Sequence, residues 1–146
     1  MIVYAESSAL LAWLLGDDGG DEAATVLMSS DHVIVSDLLF VEVDRTLIRA
    51  QSLDRLSDSR FASLRRQLIE ASVHWQIQRL SAAVLDRSRQ PFPREPVRSL
   101  DALHLASALR ANALVPGVTM LTLDRRIREN AAALGLEVAP ERRPAL

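Results

Sequence analysis

Three short apolar runs, IVYA at 2–5, HVIV at 32–35 and VTMLTL at 118–123, scarcely alternate with polar residues, and each gives way to a stretch with helical spacing. A strand that is apolar on both sides has to be covered on both sides, and parallel sheets flanked by helices achieve this. The chain is therefore expected to fold as an α/β three-layer sandwich around a central, mostly parallel sheet with right-handed crossovers. Its 146 residues suffice for one such domain, placed at 1–139, followed by a loose tail at 140–146.

Between these runs the spacing predicts helices over 8–15, 21–30, 37–51, 53–72, 81–89, 99–111 and 125–134. Ser36 and Ser99 stand as N-caps, GDDGG at 16–20 as a turn, and Gly135 as a C′ residue. HWQIQRL at 74–80 and LEV at 136–138 complete the strands, while QPFPREPVR at 90–98, with three prolines, must be a loop. Two successive helices after the second strand imply an inserted helical hairpin.

Composition narrows the function. The chain has no cysteine, which removes disulfides and thiolate metal sites and suits a reducing compartment. All 17 basic residues are arginine, so a phosphate-binding P-loop, which needs its lysine, is excluded. The apolar N-terminus lacks a basic lead and contains Glu6, so neither a secretory signal nor a membrane span is expected and the cytoplasm is the default location. Net charge is −2, without the basic surplus of a typical nucleic-acid binder; setting four sequestered carboxylates aside leaves +2.

In an open α/β sheet, strands end and the next helices begin along one edge, where ligands bind. Glu6 ends the first strand, Asp124 follows VTMLTL, Asp101 lies in the first turn of its helix, and Glu42 stands about one and a half turns into its own. Each has a plain alternative. Asp124 and Glu6 would cap the helices they precede, Asp101 would complement a helix dipole, and Glu42 would pair with Arg45. Four acids on one edge repel one another unless a cation is shared, and an all-oxygen set suits Mg²⁺ or Mn²⁺ rather than zinc. Such a site activates water against a phosphodiester. The histidines are scattered, and His104, three residues after Asp101, reads as a core or rim residue rather than a ligand.

YAESSALLAWL at 4–14, SDLLFVEVDRTL at 36–47, SLDALHLASAL at 99–109 and LTLDRRIRENAAALGLEV at 121–138 are together similar to the four motif regions of PIN-domain ribonucleases, especially VapC-type toxins of toxin–antitoxin systems. The resemblance spans nearly the whole chain in order and spacing. It implies an endoribonuclease dependent on Mg²⁺ or Mn²⁺, an RNA substrate, a cognate antitoxin and a homodimer. Glu6, Glu42, Asp101 and Asp124 fall on the family's metal-binding, catalytic acids, Ser8 on its supporting hydroxyl residue and Thr122 on the hydroxyl of its Thr-x-Asp motif. The first acid is usually Asp and here is Glu, which reaches one methylene further.

Other residues divide between function and solvation. Arg98, Arg125 and Arg126 are candidate RNA contacts, with Arg128 beside them, and the loop carrying Phe92 and Arg94 either touches substrate or merely connects. Asp37, Asp17, Asp18 and Asp21 read as helix-start or turn acids. Trp13, with Leu10, Leu11 and Leu14, makes one helix apolar on several sides, for core packing first and a dimer or antitoxin interface second. Two rivals stand against the enzyme. One is a non-catalytic RNA- or partner-binding module with a degenerate site. The other, a phospho-acceptor receiver domain, uses a lysine that this chain lacks.

Overall fold

The structure is a computed structural model, describing residues 1–141. The described residues form β1 (Ile2–Ala5), α1 (Ser7–Leu15), α2 (Gly20–Ser29), β2 (His32–Ser36), α3 (Asp37–Ser52), α4 (Asp58–Ser72), β3 (Gln76–Gln78), α5 (Ala82–Ser88), α6 (Ser99–Leu114), β4 (Val118–Leu121), α7 (Arg125–Ala133) and β5 (Glu137–Ala139). The sheet order is β3-β2-β1-β4-β5, and every neighbouring pair is parallel.

Strand pleating sends alternate side chains to opposite faces and so divides the core in two. Val3, Ala5, Val33, Val35 and Leu121 join Leu10, Leu14, Leu39, Val43, Leu47, Leu64 and Leu68, so α1 to α4 cover one face. Tyr4, Ile34, Val118 and Met120 join Leu105, Ala108, Ile127 and Ala131 on the other, beneath α6 and α7. This is the expected three-layer sandwich. β1 is central because chain reversal happens around it: β2 lies on one side and β4 on the other. The crevice beyond the carboxyl ends of β1 and β4 is therefore the topological switch point, where ligands bind in such sheets.

Helix ends follow local chemistry. Ser36, Ser57 and Ser81 each accept a backbone N–H from the first turn they precede. Gly16, with φ of +71°, closes α1 in the left-handed conformation, and Asp17 N–H returns to the Ala12 carbonyl. Gly20 then lets α2 begin hard against α1. An added Cβ there would stand 2.7 Å from the Ala12 carbonyl carbon.

Several boundaries differ from the sequence reading. The helix expected over 53–72 begins at Asp58, because Ser57 caps it and Asp54 adopts a left-handed φ of 54°. Ser99 is the first residue of α6 rather than its cap; Arg98 occupies that position without a side-chain cap bond. The fourth strand stops at Leu121, and residues 122–124 turn into the site. Pro140 is buried and its carbonyl accepts from Arg128 Nη2 at 2.8 Å, so the tail expected to be loose from 140 is anchored at its first residue. Residues 142–146 lie outside the described residues. Trp13 packs partly against the core and also lines an apolar cleft of about 370 Å³ with Leu27, Met28 and Trp75.

Candidate active site at the switch point

Glu6 follows β1 directly and is only 3 % exposed. Burying a carboxylate is costly unless its oxygens find donors, and both do. Oε1 accepts from Ser8 N–H at 2.7 Å, capping α1, while the Ser7 hydroxyl, 3.3 Å away, shares its single proton with Glu42. Oε2 accepts from the Ser8 and Thr122 hydroxyls, both at 2.6 Å. Burial raises its pKa, and the charge of His104 and the hydroxyl bonds oppose that rise. Glu6 thus faces inward.

Those hydroxyls carry the bond network across to β4. Ser8 Oγ accepts from Leu123 N–H at 2.9 Å and from Asp124 N–H at 3.2 Å, and Thr122 Oγ1 accepts from Asp124 N–H at 3.1 Å. Glu6, Ser8 and Thr122 together fix the backbone that presents Asp124. Asp124 itself caps α7, its Oδ1 accepting from Ile127 N–H at 3.0 Å.

Glu42 reaches the same crevice from α3. Ser7 Oγ donates to its Oε2 at 3.0 Å, and among the described residues the ion pairs include none between Glu42 and Arg45. Its Oε1 meets His104 Nε2, on α6 one turn beyond Asp101. A carboxylate only accepts, so Nε2 must carry the proton. The other ring nitrogen, Nδ1, lies 2.8 Å from the hydroxyl of Tyr4, whose pKa burial pushes far up, so the phenol keeps its proton and stays a neutral hydrogen-bond partner. Tyr4, His104 and Glu42 form one hydrogen-bonded chain linking β1, α6 and α3.

Asp101 is partly buried, and its carboxyl is raised, first by burial, then by the neighbouring Asp124 charge, with Glu42 adding to it. His104 and Arg98 act in the opposite direction. Glu42, Asp101 and Asp124 therefore share one field of negative charge. Among the described residues, no three His, Asp or Glu side chains are already gathered as a metal cage. Mg²⁺ does not demand one, because it keeps several waters and takes one or two carboxylates plus substrate phosphate. The oxygen donors and their mutual repulsion fit such a cation; Glu6 differs because both its oxygens serve protein donors.

The remaining candidates sort clearly. Arg125 is exposed and pairs with Glu129 at 2.8 Å. Arg128 is a brace, donating to the carbonyls of Thr122 at 2.9 Å and Pro140 at 2.8 Å, rather than a residue reaching outward for phosphate. Arg126 is exposed on α7, and Arg98 stands at the start of α6 near Asp101. Phe92 is buried in the second core under Arg87, so this part of the loop is scaffold. His104 is confirmed as a core residue, but its link to Glu42 went unread, as did the roles of Tyr4 and Ser7. A polar-tipped aromatic inside a buried strand was the available signal for Tyr4, since buried hydroxyls seek partners.

Residues 3–133 match the PIN domain family. Ribonuclease VapC35 of Mycobacterium tuberculosis is 35% identical over 141 residues, covering 94% of this chain and 95% of the relative. Among solved structures, the sarcin-ricin loop cleaving toxin VapC20 of Mycobacterium tuberculosis superposes with a TM-score of 0.64 at 18% identity, covering 94% of this chain and 99% of that one. A toxin–antitoxin complex from Klebsiella pneumoniae gives 0.60 at 17% identity, covering 96% and 97%. The fold and the edge site define a PIN-type α/β domain. The chain belongs to the PIN-domain family, in its VapC-type branch.

Proposed function

We propose that the protein is a divalent-metal-dependent endoribonuclease that hydrolyses RNA phosphodiester bonds as the toxin of a toxin–antitoxin pair in the cytoplasm. The observation that carries this reading is the shared negative field of Glu42, Asp101 and Asp124 at the switch point, which raises the Asp101 carboxyl and calls for a cation. Mg²⁺ or Mn²⁺, when bound, supplies an activated water and neutralises charge developing on the phosphodiester.

Asp101, Asp124 and Glu42 are the residues proposed to hold the ion. Ser8 and Thr122 orient Asp124 through its N–H, and Glu6 anchors both hydroxyls in place of direct contact with the cation. Relatives named as VapC ribonucleases and the neighbouring toxin–antitoxin complex support an RNA substrate and a cognate antitoxin. The apolar cleft at Trp13, Met28 and Trp75 offers the antitoxin a surface. The family resemblance also supports a homodimer.

The test is cleavage of total cellular RNA by the chain purified free of antitoxin. With Mg²⁺ or Mn²⁺ the RNA should be cut internally; EDTA and Asp101→Asn should each abolish cutting. No cleavage with either ion would sink the enzyme reading and favour the binding module, to which the fully engaged Glu6 would then belong.

A further inference from the structure

Beside the acidic crevice lies a second, polar cavity of about 390 Å³, between the proline-rich loop and α7. Arg94 and Arg126 line it, together with Glu95 and Glu129. Both acids are already occupied. Glu95 accepts Phe92 N–H and Val97 N–H, each at 3.0 Å, and Glu129 pairs with Arg125. Neither Arg94 nor Arg126 has an ion pair among the described residues. Two guanidinium groups without ion-pair partners therefore share one cavity with two carboxylates that are engaged elsewhere.

The cavity is built rather than incidental. Asn130, fully buried, uses every polar atom to set its two walls: Oδ1 accepts Arg94 N–H at 2.9 Å, and Nδ2 donates to the Arg94 carbonyl at 3.1 Å and the Arg126 carbonyl at 3.0 Å. One side chain thus fixes the main chain of both arginines. Arg126 lies in the first turn of α7, the helix that Asp124 caps, so this cavity and the acidic edge share one end of that helix.

We propose that this cavity is a phosphate subsite for the RNA strand, in which Arg94 and Arg126 grip a backbone phosphate flanking the one at Asp101 and Asp124. The ligand class rests on the endoribonuclease reading. Guanidinium forks match phosphate oxygens, and a strand repelled by three nearby carboxylates needs a cationic hold beside them. Arg125, spent on Glu129, is not part of it.

The experiment measures binding without turnover: fluorescence anisotropy of a labelled single-stranded RNA of about 12 nucleotides on the Asp101→Asn protein in EDTA, across salt concentrations. The expected result for Arg94→Ala with Arg126→Ala is about tenfold weaker binding at low salt, with the slope of log K against log salt reduced by about 0.7 per lost phosphate contact. Arg110→Ala, on the exposed surface of α6, should leave both unchanged. Unchanged affinity and slope in the double variant would overturn the subsite, as would no RNA binding by the parent. Equal, arginine-dependent competition by polyglutamate would also overturn it, by making the cavity a carboxylate site. If wild-type protein cuts no RNA but binds it through these arginines, the subsite stands while the nuclease reading falls. If it cuts RNA and the arginines do not matter for binding, only the subsite falls.

Discussion

His104 Nε2 meets Glu42 Oε1 across the gap between α6 and α3, and it can do so because the Tyr4 hydroxyl holds the opposite ring nitrogen at 2.8 Å. The ring is 1 % exposed, so both of its nitrogens meet their partners inside the protein. The carboxylate, which only accepts, fixes Nε2 as a protonated nitrogen, and the tyrosine hydroxyl on the far side holds the ring so that this N–H aims at the glutamate.

Tyr4→Phe should therefore leave the fold intact and weaken the site. Removing an outer partner of a metal-ligating group typically costs about 10- to 100-fold in metal affinity or activity. Mn²⁺ affinity followed by electron paramagnetic resonance, together with RNA cleavage, should fall by that order. His104→Gln, which keeps a donor toward Glu42, should lose less than His104→Leu. Wild-type affinity in Tyr4→Phe would show that His104 holds Glu42 without help from the tyrosine.

Glu6 and Thr122 make a second prediction, on stability. Thr122→Val removes a donor to Glu6 Oε2 and an acceptor for Asp124 N–H, both in buried surroundings. Hydrogen bonds to charged groups are worth about 1.5 to 3 kcal/mol, so a loss of about 2 kcal/mol is expected in urea unfolding. Glu6→Ala also removes the cap of α1 and strands the Ser8 and Thr122 hydroxyls, for about 2 to 4 kcal/mol in total. A Glu6→Ala protein as stable as wild type would contradict the bracket.

The Asp101 carboxyl gives a pH dependence with a definite sign. Its pKa is raised in the fold, by burial and by Asp124 and Glu42, above the ordinary value of 3.8. Between that value and the raised one, the metal-free folded state binds more protons than the unfolded chain, so stability falls as pH rises through this window. Divalent cation competes with that proton, so metal affinity should rise with pH over the same interval. Asp124→Asn deletes the larger charge contribution and should move the Asp101 titration, read by carbon-13 NMR of labelled aspartate, toward lower pH. An unmoved titration would mean that the two carboxylates do not share one field.

Much of this was legible in the sequence because burial patterns and caps are local. IVYA, HVIV and VTML are buried on both faces as unalternated strands must be, and Ser36 caps α3 as its position dictates. The edge geometry follows from strand and helix polarity, which brings Glu6, Asp101 and Asp124 to one side of the sheet. Partner choice was not legible. Whether Glu6 turns outward or back upon Ser8 and Thr122 depends on where β4 ends, a contact 116 residues distant along the chain. The plain alternative of a helix cap proved right for both Glu6 and Asp124, yet capping engages one oxygen and leaves open what the other does. Asn130 looked like any helical asparagine, because the loop carbonyl it holds is set by the fold alone.

The junction of α1 and α2 supplies the last test, on packing rather than chemistry. Gly16 and Gly20 sit in one turn, and helix-breaking composition alone would treat them alike. Their surroundings differ: a Cβ at Gly16 meets nothing within 4 Å, whereas at Gly20 it meets the backbone of Ala12 and Trp13. Gly16 needs only its left-handed φ, which asparagine tolerates, so Gly16→Asn should cost under about 1 kcal/mol. Gly20→Ala has no flexible neighbour to displace and must push α2 off α1, for about 2 to 3 kcal/mol. That displacement would also widen the cleft at Trp13 and Leu27, which both helices line, so tryptophan fluorescence should change in Gly20→Ala and not in Gly16→Asn. Equal stabilities for the two variants would mean that α1 and α2 do not touch through their backbones.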